Sequence, residues 1–273
     1  MVEFLSYSFF QNAIAGVAII SVAAAMIGTY IIARRLVAIS GGITHACFGG
    51  LGLGYFLGIS PIATAAVFAV ASALGVEWLS EKHRVREDSA IAVVWSVGMA
   101  VGVLLVFLTP GFVPELNTFL FGNILTISKG DLAAFAIYTI ILGAFFAWKF
   151  REIVACAFDP DFARVNRLPV KWINMAMTVL VALCIVLTIR LVGIMLLMSM
   201  ISLPQMTAEV FVRKFKGIML LSAAISLFCG LCGLALATIV DVPCSALIVG
   251  VMCGAYFICR VGKGLFTKSI RRA

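Results

Sequence analysis

A chain of 273 residues that is 63% hydrophobic and only 12% charged, with a mean hydropathy of +1.17, falls outside the range of soluble domains, whose apolar share is about 45–50%. The net charge of +8 does not point to nucleic acid, because the basic residues lie in short clusters between apolar stretches and form no basic face with interleaved aromatics. Eight cysteines are read as reduced thiols and not as a disulfide framework: Cys47, Cys184, Cys229, Cys232 and Cys253 fall inside apolar stretches and Cys156 in a predicted cytoplasmic loop.

From the N-terminus, residues 1–11 hold Glu3 but no Lys or Arg and no small-residue cleavage pattern, so the first apolar stretch is expected to stay in the membrane. Residues 12–33, 61–76, 172–189 and 218–240 are near the length that a helix needs to cross about 30 Å of hydrocarbon. Their continuity argues for helices and against a barrel, which would show short alternating segments. Basic residues gather at Arg34 and Arg35, at Lys82 to Arg86, at Lys149 to Lys171, at Arg213 to Lys216 and from Arg260 to Arg272, which together hold 18 of the 20. Placing all five clusters in the cytoplasm, as positive-inside orientation favours, gives four out-and-back hairpins after the first span. The expected fold is all-α: a polytopic transmembrane helical bundle of about eight or nine spans, N-terminus outside and C-terminus inside. It forms one permease-like domain over 1–273.

The interval 87–148 is longer than two helices need. It contains Pro110, Gly111, Pro114 and Glu115 and the short apolar piece 119–127, which suits a partial or re-entrant helix on the outer side. Outer turns are expected elsewhere around Ser60-Pro61, Arg190 and Asp241 to Pro243.

In the second span Gly42, Ala46, Gly50, Gly54 and Gly58 recur at every fourth position, a small-residue stripe that lets another backbone approach. His45 lies on the adjoining face with Gly41, Gly49 and Gly52. It sits about ten residues into the helix, or roughly 15 Å at about 1.5 Å per residue, near mid-membrane. An ionisable group at that depth is costly and marks a functional site by default, and neutral imidazole is a common ligand of first-row metals. The competing reading is a histidine that donates to a neighbouring carbonyl.

Residues 157–165 can form a short amphipathic helix on the cytoplasmic side, within a loop at about 149–171. Asp159 would be its N-cap, Pro160 its first helical residue, and Phe158, Phe162 and Val165 its apolar stripe. In the seventh span Pro204 is expected to kink the helix and free a carbonyl one turn earlier. The methionines around it, Met195, Met198, Met200 and Met206, read first as flexible packing, as does the Cys229 and Cys232 pair.

Taken together, Arg34-Arg35 leading to Thr44-His45-Ala46, the run Arg86 to Ile91, Leu120 to Leu125, and Gly193 to Leu197 followed by Leu203 to Ala208 resemble the zinc/manganese/iron permeases of ABC importers, the ABC-3 family. The resemblance covers nearly the whole chain and rests on the order and spacing of these segments. One departure concerns the metal path: the family places an aspartate four residues before the histidine, and here that residue is Gly41. Only His45 carries over, with a further donor to come from Thr44, Cys47 or another span. The resemblance implies a bacterial cytoplasmic-membrane protein that moves zinc or manganese, or iron, with no permanently bound cofactor. It implies a homodimer, an extracytoplasmic metal-binding protein and a separate ATPase that docks on the 157–165 helix, with Phe158, Asp159, Pro160, Phe162 and Arg164 as the coupling residues. No nucleic-acid partner is implied.

The chain carries no Gly-x-x-x-x-Gly-Lys-Ser/Thr loop, so ATP would be hydrolysed on the partner. The rival from another class is a secondary metal transporter driven by an ion gradient. Such proteins commonly place carboxylates near the substrate, whereas Glu77, Asp88, Asp131, Glu209 and Asp241 lie near predicted membrane edges. An intramembrane hydrolase ranks last, for want of a Gly-x-Ser-x-Gly or a His-Glu-x-x-His.

Overall fold

A computed structural model describes residues 7–83, 85–110, 122 and 124–270, with the backbone alone for 81 and 264–270. Its helices are α1 (Ser8–Ala33), α2 (Val37–Leu57), α3 (Pro61–His83), α4 (Glu87–Leu108), α5 (Lys129–Phe158), α6 (Pro160–Val165), α7 (Val170–Phe211), α8 (Phe215–Val240) and α9 (Cys244–Ile270). Among the described residues there is no strand, and eight of the helices are long and apolar enough to cross a membrane. The all-α bundle read from the apolar runs is therefore present.

Local sequence sets the helix limits. Glu87 and Asp88 fill the first turn of α4, where the dipole favours anions, and no charge follows before its end at Leu108. Gly58 closes α2 in the left-handed region with φ 66°, its N–H reaching back to the carbonyls of Gly54 and Tyr55, a conformation that glycine adopts without a Cβ penalty.

At 42 residues, α7 is about twice the length one crossing requires. It is broken at Gly193, whose φ of 79° and ψ of 173° are non-helical. The segments on either side, 170–192 and 194–211, are about 34 and 27 Å long at about 1.5 Å per residue, each close to one membrane thickness. This accounts for the count of eight or nine. The break falls three residues beyond the turn expected at Arg190, at the first residue whose missing Cβ permits it. Pro204, where a kink was expected, lies inside continuous helix.

Of the partial helix expected at 119–127, residues 119–121 and 123 lie outside the described residues, as do Gly111, Pro114 and Glu115. The described remainder holds the single 3₁₀ turn Ile124–Thr126.

The chain forms two compact units. One takes α1 to Ile32, the 3₁₀ turn, α5 as far as Thr139, and the chain from Leu191 onward. Within it Asn12 Nδ2 donates to the Ile127 carbonyl at 3.1 Å, and a Cβ on Gly230 of α8 would come within 2.6 Å of Val17 in α1. Gly122, at φ 55°, lies directly against the backbone of Val192 and Gly193.

The other unit takes α2, α3 and α4, then 140–190 with α6. Arg34 and Glu87 pair there at 3.5 Å, joining the α1–α2 turn to the start of α4.

Candidate metal path and coupling helix

Between α3 and α4, helix α2 packs on backbone more than on side chains. A Cβ on Gly50 would stand 2.6 Å from the Ala65 Cα and the Thr64 carbonyl, and Gly54 adjoins Pro61 and Thr64, all on α3. Gly42 instead meets Ile91 of α4, Ala46 lies against Gly98, and a Cβ on Gly52 would stand 2.6 Å from the Gly102 carbonyl. The every-fourth-residue stripe thus serves two neighbours. At 3.6 residues per turn, each step of four advances about 40° around the helix, so the start of the stripe faces α4 and its later part faces α3. Its last member, Gly58, meets nothing within 4 Å and serves as the C-cap.

His45 lies on the α4 side of this seam. Its ring stacks on Trp95 of α4 with centroids 4.5 Å apart and planes 2° from parallel, and Phe48 stands 6.2 Å away. The stack fixes the imidazole plane while leaving the ring edge, and both nitrogens, clear of the contact. Nδ1 is buried and has no hydrogen-bond partner, so the donation to a neighbouring carbonyl, open as an alternative from the sequence, is not made through this atom. A buried imidazole nitrogen without a partner is costly in apolar surroundings and suits a passing cation.

The neighbours weighed as further donors are constrained. The Thr44 hydroxyl donates to the Ser40 carbonyl one turn back, and Cys47 is 2% exposed. Among the described residues no three His, Cys, Asp or Glu side chains converge into a metal cage.

The short helix α6 has the build that its residues prescribe. Asp159 Oδ1 accepts from the Phe162 N–H at 2.9 Å, and Pro160 opens the helix. Arg164 pairs with Asp161 at 3.2 Å. Asn166 closes the far end, its Nδ2 donating to the Phe162 carbonyl at 2.8 Å. Ala163 faces inward and is fully buried, whereas Phe158 and Phe162 are each 59% exposed and Val165 is 82% exposed. Six residues held by caps at both ends thus present a small apolar surface.

Around Pro204 the expected orphan carbonyl is accounted for. A proline cannot donate to the residue four before it, here Met200, and Gln205 Nε2 takes that carbonyl at 3.2 Å. The same amide donates to the Ala24 carbonyl of α1 at 2.8 Å, across Gly28, where any Cβ would overlap Ile201 and Gln205. The methionines of this segment part company, Met200 being buried and Met195 39% exposed, in keeping with packing. Neither Trp95 nor Gln205 stood out in the sequence. Trp95 was legible only as one aromatic in an apolar run, and Gln205 only as a polar residue next to a proline.

A polytopic helical membrane protein with a buried imidazole nitrogen lacking a hydrogen bond on a glycine-packed helix, and a capped apolar helix between two spans, has the parts of a transport subunit. The ABC 3 transport family model matches residues 6–262, and the chain belongs to that family, as a multi-pass permease of the bacterial inner membrane. A probable metal transport system membrane protein of Chlamydia trachomatis is 33% identical over 242 residues, covering 86% of this chain and 83% of that protein. The manganese transport system membrane protein MntC of Listeria monocytogenes is 29% identical over 93% of this chain and 90% of its own length. Among solved structures, PsaBC from Streptococcus pneumoniae in complex with Fab shares the fold with a TM-score of 0.82, at 24% identity and 94% coverage of both chains.

Proposed function

We propose that this permease imports a divalent transition metal, with manganese, zinc or iron as the cargo, past His45 and under the drive of ATP hydrolysis on a separate subunit. The observation that carries the reading is the buried, unpartnered Nδ1 of His45, a borderline donor that accepts first-row metals. The relatives named for manganese, iron or unspecified metal transport support the same cargo class. One fixed ligand without a cage favours passage over storage, since a cation that must leave needs an incomplete donor set. Two copies of the chain would enclose the path, and an extracytoplasmic binding protein would deliver the ion. A cytoplasmic ATPase would receive the apolar face of α6.

The test is reconstitution in proteoliposomes with the partner ATPase, comparing manganese, zinc and iron. Uptake of one metal only with ATP is expected. Flux by the chain alone, without ATP, would overturn the reading in favour of a gradient-driven transporter.

Replacing Phe158 and Phe162 together by alanine should weaken association with the ATPase by about 1.5–3 kcal/mol per anchoring ring. Folding should be unaffected, because both rings are already exposed. Co-purification yield at rising detergent and salt measures this, and an unchanged yield would remove α6 as the docking element.

A further inference from the structure

On the cytoplasmic side of the unit that holds α2, α3 and α4, helices α5 and α7 form an exposed corner that the transport reading does not use. Helix α5 breaks at Lys149, whose φ of −113° and ψ of 20° are non-helical. Before the break, 129–148 extends about 30 Å at about 1.5 Å per residue, one hydrocarbon thickness. Trp148 and Lys149 therefore stand where the span leaves the lipid. Lys149, Arg151, Arg167 and Lys171 belong to one basic cluster, which places this end in the cytoplasm. The Phe145 ring lies against Trp172 with centroids 5.8 Å apart, so the start of α7 sits beside the end of this span.

Towards the membrane the corner is apolar: Ile141 and Trp148 of α5 and Trp172 and Met175 of α7 are all exposed, Trp148 at 70%. Towards the cytoplasm it is cationic. Lys149 Nζ lies 4.7 Å from the Trp148 ring centroid and 2.9 Å from Glu152 Oε1, which neutralises the one acid within 148–152 and 167–172. Arg151 and Lys171 are exposed and enter no ion pair among the described residues. Cations, then indoles, then apolar side chains follow the order of phosphate, glycerol and acyl chain in an anionic phospholipid. Guanidinium and ammonium groups bind phosphate oxygens through charge-assisted hydrogen bonds, and an anionic cytoplasmic leaflet attracts them. The end of α3 differs. There Trp78 is exposed with Lys82 Nζ 5.7 Å from its ring centroid, but Glu77 and Glu81 flank it in sequence and offset the cation.

We propose that the corner between α5 and α7 binds an anionic phospholipid of the cytoplasmic leaflet, its phosphate held by Arg151 and Lys171 and its acyl chains lying on Trp148 and Trp172. Charge complementarity selects this occupant: a zwitterionic lipid covers the indoles equally well but leaves the two cations without a net counter-charge. Because α6 joins α5 to α7 in the chain, the bound lipid holds together the ends of the two spans that carry α6. The inference needs only the membrane orientation of the chain and is independent of the cargo.

The experiment reconstitutes the full chain, co-purified with its ATPase, in phosphatidylcholine vesicles carrying rising fractions of phosphatidylglycerol. One or the other lipid is brominated high on its acyl chains, and quenching of tryptophan fluorescence is read. The difference between wild type and Trp148→Phe isolates Trp148, and Trp172→Phe supplies the same readout if the first variant folds poorly. Trp148 is expected to be quenched preferentially by brominated phosphatidylglycerol. Arg151→Gln and Lys171→Gln should each lower that preference by about fivefold, and together by about twenty-fivefold, while quenching by brominated phosphatidylcholine persists. Both side chains are exposed, so the thermal midpoint should not move. Trp78, isolated by Trp78→Phe, should show no preference between the lipids. Equal quenching of Trp148 by the two lipids, or a preference indifferent to both substitutions, overturns the site and leaves an ordinary aromatic belt. Absence of quenching by either lipid also overturns it, and assigns this face to a second copy of the chain or to another protein.

Discussion

His45→Ala is expected to abolish ATP-dependent metal uptake while leaving membrane insertion and assembly intact. The imidazole stacks on Trp95 of α4 and, more distantly, on Phe48 of its own helix, contacts of a kind worth about 0.5–1.5 kcal/mol beyond area burial, and its Nδ1 makes no hydrogen bond that would hold neighbouring helices together. Stability should therefore fall little. For transport the residue has no substitute nearby, since Gly41 carries no carboxylate and the Thr44 hydroxyl is committed to Ser40. Changes in groups that merely orient a metal ligand cost about 10–100-fold, and loss of the ligand itself should cost at least about 100-fold in initial uptake rate. Radiometal uptake into proteoliposomes, alongside gel filtration of the same preparation, separates the two effects. Uptake near the wild-type rate from well-folded protein would remove His45 from the path.

Gly52→Ala is expected to damage the fold more than its size suggests. The new methyl would sit 2.6 Å from the Gly102 carbonyl and 3.0 Å from the Gly102 Cα, and both are backbone atoms of a neighbouring helix that cannot rotate aside. Relief requires α2 and α4 to separate, which breaks the contact of Ala46 with Gly98 on the same seam. Overpacking of this kind costs about 1–3 kcal/mol. The control is Gly143→Ala in α5, where nothing lies within 4 Å and the gain in helix propensity is worth about 0.5–1 kcal/mol. Thermal denaturation in detergent should show the first variant unfolding at lower temperature and the second at the same or a higher one. Equal midpoints for the two would contradict the backbone-to-backbone packing of α2 on α4.

Much of this is legible in the sequence, for particular reasons. The helices follow from uncharged runs long enough to cross lipid, and α6 follows from Asp159 and Pro160, whose local chemistry acts over three residues whatever surrounds them. His45 was visible because a lone ionisable residue in an apolar run is conspicuous. What stayed hidden depends on partners distant in sequence. Whether Gly50 or Gly42 meets a given neighbour depends on how far the stripe winds round the helix, and where α7 breaks depends on what Gly193 lies against, Gly122, as much as on glycine itself. Trp95 becomes part of the site only once α4 lies beside α2. In the same way Phe145 of α5 and Trp172 of α7 meet in a contact that no local pattern announces.

The shortness of the links around α6 has a mechanical consequence. A single residue, Asp159, separates it from α5, and 166–169 separate it from α7. The first link is clamped by the cap to Phe162. The second is shortened by the Leu168 N–H bonding the Ala163 carbonyl at 3.0 Å and stiffened by Pro169, whose ring fixes its backbone φ. Such a connection has almost no slack. A displacement of α6 by a few ångströms would pass directly to the ends of two long spans, as a gear tooth turns its wheel, and lengthening either link with glycines should let ATP be hydrolysed with little metal moved.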